Sequence, residues 1–143
     1  MSTPKHQIQI NGTSPIVMVD DSPDDYLIAS LMFKRSKLDC DFIHCTSGAE
    51  LFEYLVAVRA GDKVMPALIL MDMNMPEMNG IEAIEKLRSM DIYADLPLIA
   101  MLTTSQDPRD IDRATVAGAN AYFGKPMNPT YFVELFDSLV ANS

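Results

Sequence analysis

Five short apolar runs alternate with five amphipathic stretches along this chain, and that alternation limits its fold more than any other feature. The runs are Ile16–Asp20, Asp41–Cys45, Ala67–Met71 (closed by Asp72), Pro97–Leu102 and Ala121–Gly124. Each is of strand length, and Ala67–Met71 is apolar throughout, as a strand covered on both faces should be. Between them lie segments of helical period. One carries Leu51, Leu55 and Val58 on a single face, and another carries Ile81, Ile84 and Leu87. The last is the clearest, with Phe132, Leu135, Phe136, Leu139 and Val140 at i, i+3, i+4, i+7 and i+8. Strict alternation predicts parallel strands, right-handed crossovers and helices on both faces of one sheet, a doubly wound α/β fold.

Helix starts are also legible. Ser22 stands as an N-cap with Pro23 at the first helical position and Asp25 three residues after the cap, opening a helix over Asp24 to Lys37. Asn79-Gly80 opens the third helix, and Asp107–Gly118 forms the fourth. Residues 1–14 hold Pro4, Asn11 and Gly12 without sustained periodicity and read as a flexible lead-in to one domain over 15–143.

Composition excludes several classes. With 48% apolar and 22% charged residues, the 143-residue chain is globular. No apolar run approaches a membrane span, and Met1 to Pro15 has no apolar signal core. A net charge of −9 repels phosphate backbones and anionic lipid, which argues against nucleic-acid and membrane partners. Lys34, Arg35 and Lys37 form a basic cluster suited to a helix C-terminus. Cys40 and Cys45, five apart in what reads as one strand, fall on opposite faces and cannot bridge, so both read as core thiols of a reducing cytoplasm. No His or Cys pair has zinc spacing.

Polar residues collect where strands end. Asp20 and Asp21 close the first, Asp72 the third and Thr103 the fourth, while Lys125 follows the fifth. In open α/β sheets that edge is where ligands bind. With the flavodoxin-like strand order 2-1-3-4-5, the first strand lies beside the third, about 4.8 Å away. Two or three carboxylates then converge, and such a cluster is unstable when bare. A hard divalent cation relieves it, and Mg²⁺ takes one or two carboxylates plus waters and phosphate oxygens. A carboxylate nucleophile, a metal, a lysine and a hydroxyl donor suit an aspartyl-phosphate. Singly, each residue could be an ordinary cap, turn or loop acid; their coincidence at four strand ends carries the reading.

These residues, in this order, resemble the bacterial response-regulator receiver family over roughly Ile16 to Asn142. The matching segments are VMVDDSPDD (17–25), LILMDMNMPEMNG (68–80), IAMLTTS (99–105) and GANAYFGKP (118–126). The resemblance implies the 2-1-3-4-5 sheet and a role for each position. Asp72 would be the phosphoacceptor. Asp21 would ligate the metal (Mg²⁺ or Mn²⁺) directly and Asp20 through water, with Asn74 offering its backbone carbonyl. Thr103 and Lys125 would contact the phosphoryl group, with Lys125–Pro126 as a cis peptide. Thr103 and Tyr122 would form the switch pair. Thr104 is larger than the residue common at its position and would crowd the phosphoryl pocket, while Asn74 and Ser105 would flank the path of attacking water.

The function implied is phosphorelay signalling by a stand-alone cytoplasmic regulator without an output domain, a switch rather than an enzyme. Its partners would be a sensor histidine kinase or histidine phosphotransfer protein, a downstream protein target, and a second copy through the face of the fourth helix, fifth strand and fifth helix. The first helix and the Met127–Asn128 loop are the expected kinase contacts. The long Ile92–Pro97 connection is similar to that of regulators paired with phytochrome-type kinases. A degenerate receiver used as a constitutive interaction module is the alternative. A haloacid-dehalogenase-type phosphatase would need an acid where Asn74 stands, and a flavin carrier would not place Asp21, Asp24 and Asp25 in its phosphate loop.

Overall fold

Alternate residues of the first strand serve two different cores. In the computed structural model, which describes residues 14–36, 40–95, 97–105 and 107–124, β1 spans Ile16–Val19 and is buried throughout. Its Ile16 and Met18 pack with Ala29 and Met32 of α1 (Pro23–Arg35). Its Val17 and Val19 pack on the other face with α2 (Gly48–Arg59), α3 (Gly80–Arg88) and α4 (Pro108–Ala117). The remaining strands are β2 (Phe42–Cys45), β3 (Leu68–Asp72), β4 (Leu98–Thr103) and β5 (Ala121–Gly124). All pairings are parallel, and the sheet order is β2-β1-β3-β4-β5. The doubly wound α/β fold, its strand order and its helices on both faces are as the sequence predicts. β3 is buried at every position, which explains its unbroken apolar run, since each enclosed Leu or Ile contributes roughly 1.5–3 kcal/mol.

Boundaries differ by one or two residues. β4 begins at Leu98, because Pro97 has no N–H to donate to a ladder, and it reaches Thr103, which pairs with Gly124. Cys40 lies outside β2, at a bend. It packs on the α1 side while buried Cys45 lies in the other core, and neither forms a disulfide. Burial pushes the Cys45 thiol up to about 11, so it stays protonated and inert. Lys34 and Arg35 occupy the last turn of α1. Lys37, residues 1–13 of the lead-in, Lys125–Pro126, the Met127–Asn128 loop and the fifth helix lie outside the described residues.

Each described α-helix starts with a side-chain cap at the edge where the preceding strand ends. Ser22 Oγ accepts the Asp25 N–H at 3.2 Å and Ser47 Oγ the Glu50 N–H at 3.1 Å. Asn79 and Glu82 cap α3 reciprocally, at 2.9 and 3.0 Å. Asp107 Oδ1 accepts the Arg109 N–H at 2.9 Å. At the opposite edge Arg88, from the end of α3, makes a three-way staple. Its Nε donates to the Gly118 carbonyl at 3.1 Å, Nη1 to that of Tyr93 at 3.1 Å, and Nη2 to Asn120 Oδ1 at 2.9 Å. Tyr93 lies in a 3₁₀ turn (Asp91–Tyr93) that the sequence reading did not anticipate.

Candidate metal centre

Asp20 follows β1 directly and is fully buried. Its N–H donates to the Cys45 carbonyl at 3.0 Å, continuing the β1–β2 ladder, and its Oδ1 accepts the Ser22 N–H at 2.8 Å. Asp21 is exposed. Asp72 closes β3 at 4% exposure, its Oδ1 accepting the Asn74 N–H at 3.3 Å. Carboxylate oxygens of Asp20, Asp21 and Asp72 all lie within 4.8 Å of one another. Oxygens on opposite sides of a Mg²⁺ ion stand about 4.2 Å apart. The three acids, gathered on that scale, fit such an ion with one of them held through water.

The backbone around Asp72 is held from below. Gly80, the first residue of α3, packs so closely that a Cβ there would meet the Asp72 carbonyl oxygen at 2.5 Å and Met73 Cα at 2.9 Å. Its N–H donates to the Met73 carbonyl at 2.9 Å, and Met73 N–H donates to that of Leu102 at 2.8 Å. Glu77 takes a left-handed φ of 69° in this connection. Asn74 itself is exposed.

Thr103 ends the neighbouring strand with no exposed surface, and its Oγ1 accepts the Ser105 N–H at 3.0 Å. Half-buried Tyr122, on β5, donates its hydroxyl to the Ser105 carbonyl at 3.0 Å, and the same hydroxyl interacts with the Thr103 side chain. Burial pushes the Tyr122 phenol up, against these hydrogen bonds, so it remains a donor. The Ser105 hydroxyl donates to Asp110 Oδ2 at 2.5 Å and accepts the Asp107 N–H at 3.2 Å. Thr104, expected to crowd the pocket, is exposed. The structure thus gathers Asp20, Asp21 and Asp72 at one strand edge and joins Thr103 to Tyr122 through Ser105; Lys125 lies outside the described residues.

Two neighbours of the site escaped the sequence reading. Gly80 was legible only as a helix start. His44, on β2, brings Nε2 to 2.8 Å from the Asp20 carbonyl while its ring stacks on Tyr26. Neither residue carries a pattern: only the packed sheet brings them to the acids.

Residues 16–137 match the response regulator receiver domain, and the chain belongs to that family. It is 31% identical over 128 residues to the chemotaxis protein CheY1 of Helicobacter pylori, covering 90% of this chain and 98% of that one. Among solved structures it resembles the bacteriophytochrome response regulator RtBRR, with 31% identity, a TM-score of 0.76 and coverage of 92% of this chain and 81% of the other. It also resembles the response regulator RPA3017 in red light signaling of R. palustris, with 29% identity, a TM-score of 0.77 and coverage of 88% and 90%. Receiver domains of this family are phosphoacceptor switches that bind a divalent metal and work with histidine kinases and downstream targets. Among the described residues no helix is long and apolar enough to cross a membrane.

Proposed function

We propose that the protein is a phosphorelay switch that takes a phosphoryl group onto Asp72 from a sensor histidine kinase or a histidine phosphotransfer protein. The observation that carries this reading is the convergence of Asp20, Asp21 and Asp72 within 4.8 Å beside the buried Thr103 hydroxyl. Three acids alone have little use for one another; with a cation they make a phosphoryl-accepting site. Asp21 and Asp72, with the Asn74 backbone carbonyl, would hold Mg²⁺ or Mn²⁺ directly, and Asp20 through water. The ion supplies positive charge that balances the phosphoryl oxygens.

In the transfer, an Asp72 carboxylate oxygen attacks phosphorus in line. The new P–O bond forms as the P–N bond to the donor imidazole breaks, and that nitrogen keeps the electron pair. Thr103 and Lys125 donate to the phosphoryl oxygens as charge builds. Thr103 Oγ1 accepts the Ser105 N–H and its hydroxyl also meets that of Tyr122, so its proton turns from Tyr122 to the phosphoryl oxygen as charge builds. Water later attacks phosphorus along a path bounded by Asn74 and Ser105; the P–O bond to Asp72 breaks, inorganic phosphate leaves and the carboxylate is restored. Tyr122 and Ser105 carry the change to α4, shifting a pre-existing equilibrium of the surface that a downstream protein, or a second copy, reads. On α1, Leu27, Ile28 and Leu31 are 56%, 40% and 47% exposed and offer the donor an apolar surface beside the site. The setting is cytoplasmic, as for a regulator whose donors and targets are cytosolic proteins.

The test is incubation with Mg²⁺ and either a phosphohistidine donor or beryllofluoride, alongside Asp72→Asn. An adduct that requires Mg²⁺, is absent in the variant and shifts amide signals from Thr103 to Tyr122 is the expected result. No adduct in the wild-type protein would leave a constitutive interaction module.

A further inference from the structure

An aromatic stack runs down the crevice between α1 and β2 and stops at the acids. Phe33 stacks on Phe42 (centroids 4.8 Å apart), Phe42 on Tyr26 (5.5 Å) and Tyr26 on His44 (3.9 Å, planes 6° apart). Beyond the last ring, His44 Nε2 lies 2.8 Å from the Asp20 carbonyl oxygen. A carbonyl only accepts, so Nε2 carries the proton, in the neutral ring and in the imidazolium alike.

We propose that His44 is a positioning residue for the divalent metal, its Nε2–H fixing the Asp20–Asp21 peptide so that both carboxylates face Asp72; this rests on the metal reading above. Asp20 is tied down at several atoms. Its N–H is held by Cys45 and its carboxylate by the Ser22 N–H. The carbonyl is the remaining handle, and it belongs to the peptide plane that launches Asp21. Rotation of that plane would swing the Asp21 side chain, which is exposed and gains no orientation from a surrounding core. His44 stops the rotation, and stacking on Tyr26 stops His44 from changing rotamer. Ligand sets held this way bind metal more tightly because less motion is lost on binding.

Separating the proton from the ring tests the idea in the full chain. His44→Phe keeps an aromatic face for Tyr26 but has no donor; His44→Gln has a donor near the Nε2 position but no ring. Mn²⁺ binding, read from the loss of the free-ion paramagnetic resonance signal, should weaken roughly five- to tenfold in His44→Phe and stay within about twofold in His44→Gln. Melting in EDTA should show the ring-retaining variant folded. If His44→Phe binds Mn²⁺ like the wild type, or both variants weaken alike, the proposal is overturned. Wild-type protein that binds no Mn²⁺, or Asp21→Asn that binds it undiminished, removes the metal site itself and the proposal with it. A second measurement needs no folded variant: long-range ¹H–¹⁵N spectra of the wild type at pH 8 should show the His44 proton on Nε2. A proton on Nδ1 overturns the proposal.

Discussion

Gly80 shows how much of the site depends on an atom that is missing. With 2.5 Å between its would-be Cβ and the Asp72 carbonyl oxygen, Gly80→Ala must push α3 away from β3 or turn the Asp72 peptide. Overpacking of this kind costs about 2 kcal/mol. Denaturant titration should show that loss, and Mn²⁺ affinity should fall with it, because the displaced backbone carries Asp72, a proposed ligand. Unchanged stability would mean that the helix start yields without strain. The acids and Thr103 were legible in the sequence because a polar residue closing an apolar run stands out. Gly80 and His44 were not, for a physical reason. A glycine after asparagine is an ordinary helix start, and its role depends on how near α3 approaches. His44 reaches Asp20 only through the β1–β2 register, in which it pairs with Met18, and no one-dimensional pattern contains that register. Ser105 lay between: its place after Thr103-Thr104 was readable, but its hydroxyl contact with Asp110 depends on the path of the chain into α4.

Among the elements, the caps were the most reliable signals, because capping is local: the donor and acceptor lie within three residues of each other. Strand limits were less so. Pro97 and Thr103 exchange places at the two ends of β4 because hydrogen bonding rather than hydropathy decides membership. Long-range polar ties left no local trace. Arg88 joins α3, the 3₁₀ turn, and the start of the Gly118–Asn120 turn, and Asn120 Oδ1 also accepts the Ile99 N–H at 2.8 Å. Truncation would leave two carbonyls and an amide oxygen short of a donor, so Arg88→Ala should lose about 2–3 kcal/mol in thermal or denaturant unfolding. Arg88→Lys should restore less than half of it, since one ammonium cannot span three acceptors set for a planar fork. Full recovery by lysine would reduce the staple to a charge.

For the molecule as a whole, a cation that binds only the folded state must raise stability. At free Mg²⁺ or Mn²⁺ one hundred times its dissociation constant the gain is about 2.7 kcal/mol. In a domain of this size that lifts the melting temperature by roughly 5–10 °C. EDTA should reverse it and Asp21→Asn should abolish it. A melting temperature indifferent to metal would speak against the acidic cluster as an ion site. The two edges of the sheet also differ in how tightly they are held. The edge bearing the acids carries the strand-to-helix connections, whereas Arg88 fastens the far edge at Gly118, just past the end of α4. That makes α4 a lever with its fulcrum at the stapled end. A push arriving through Thr103 and Ser105 meets the other end, ten residues away and about 15 Å along the axis. Displacement should then grow along the arm toward Pro108. On phosphorylation, amide exchange should change most near Asp110 and least near Ala117, whereas an even change would mean that the pivot lets go.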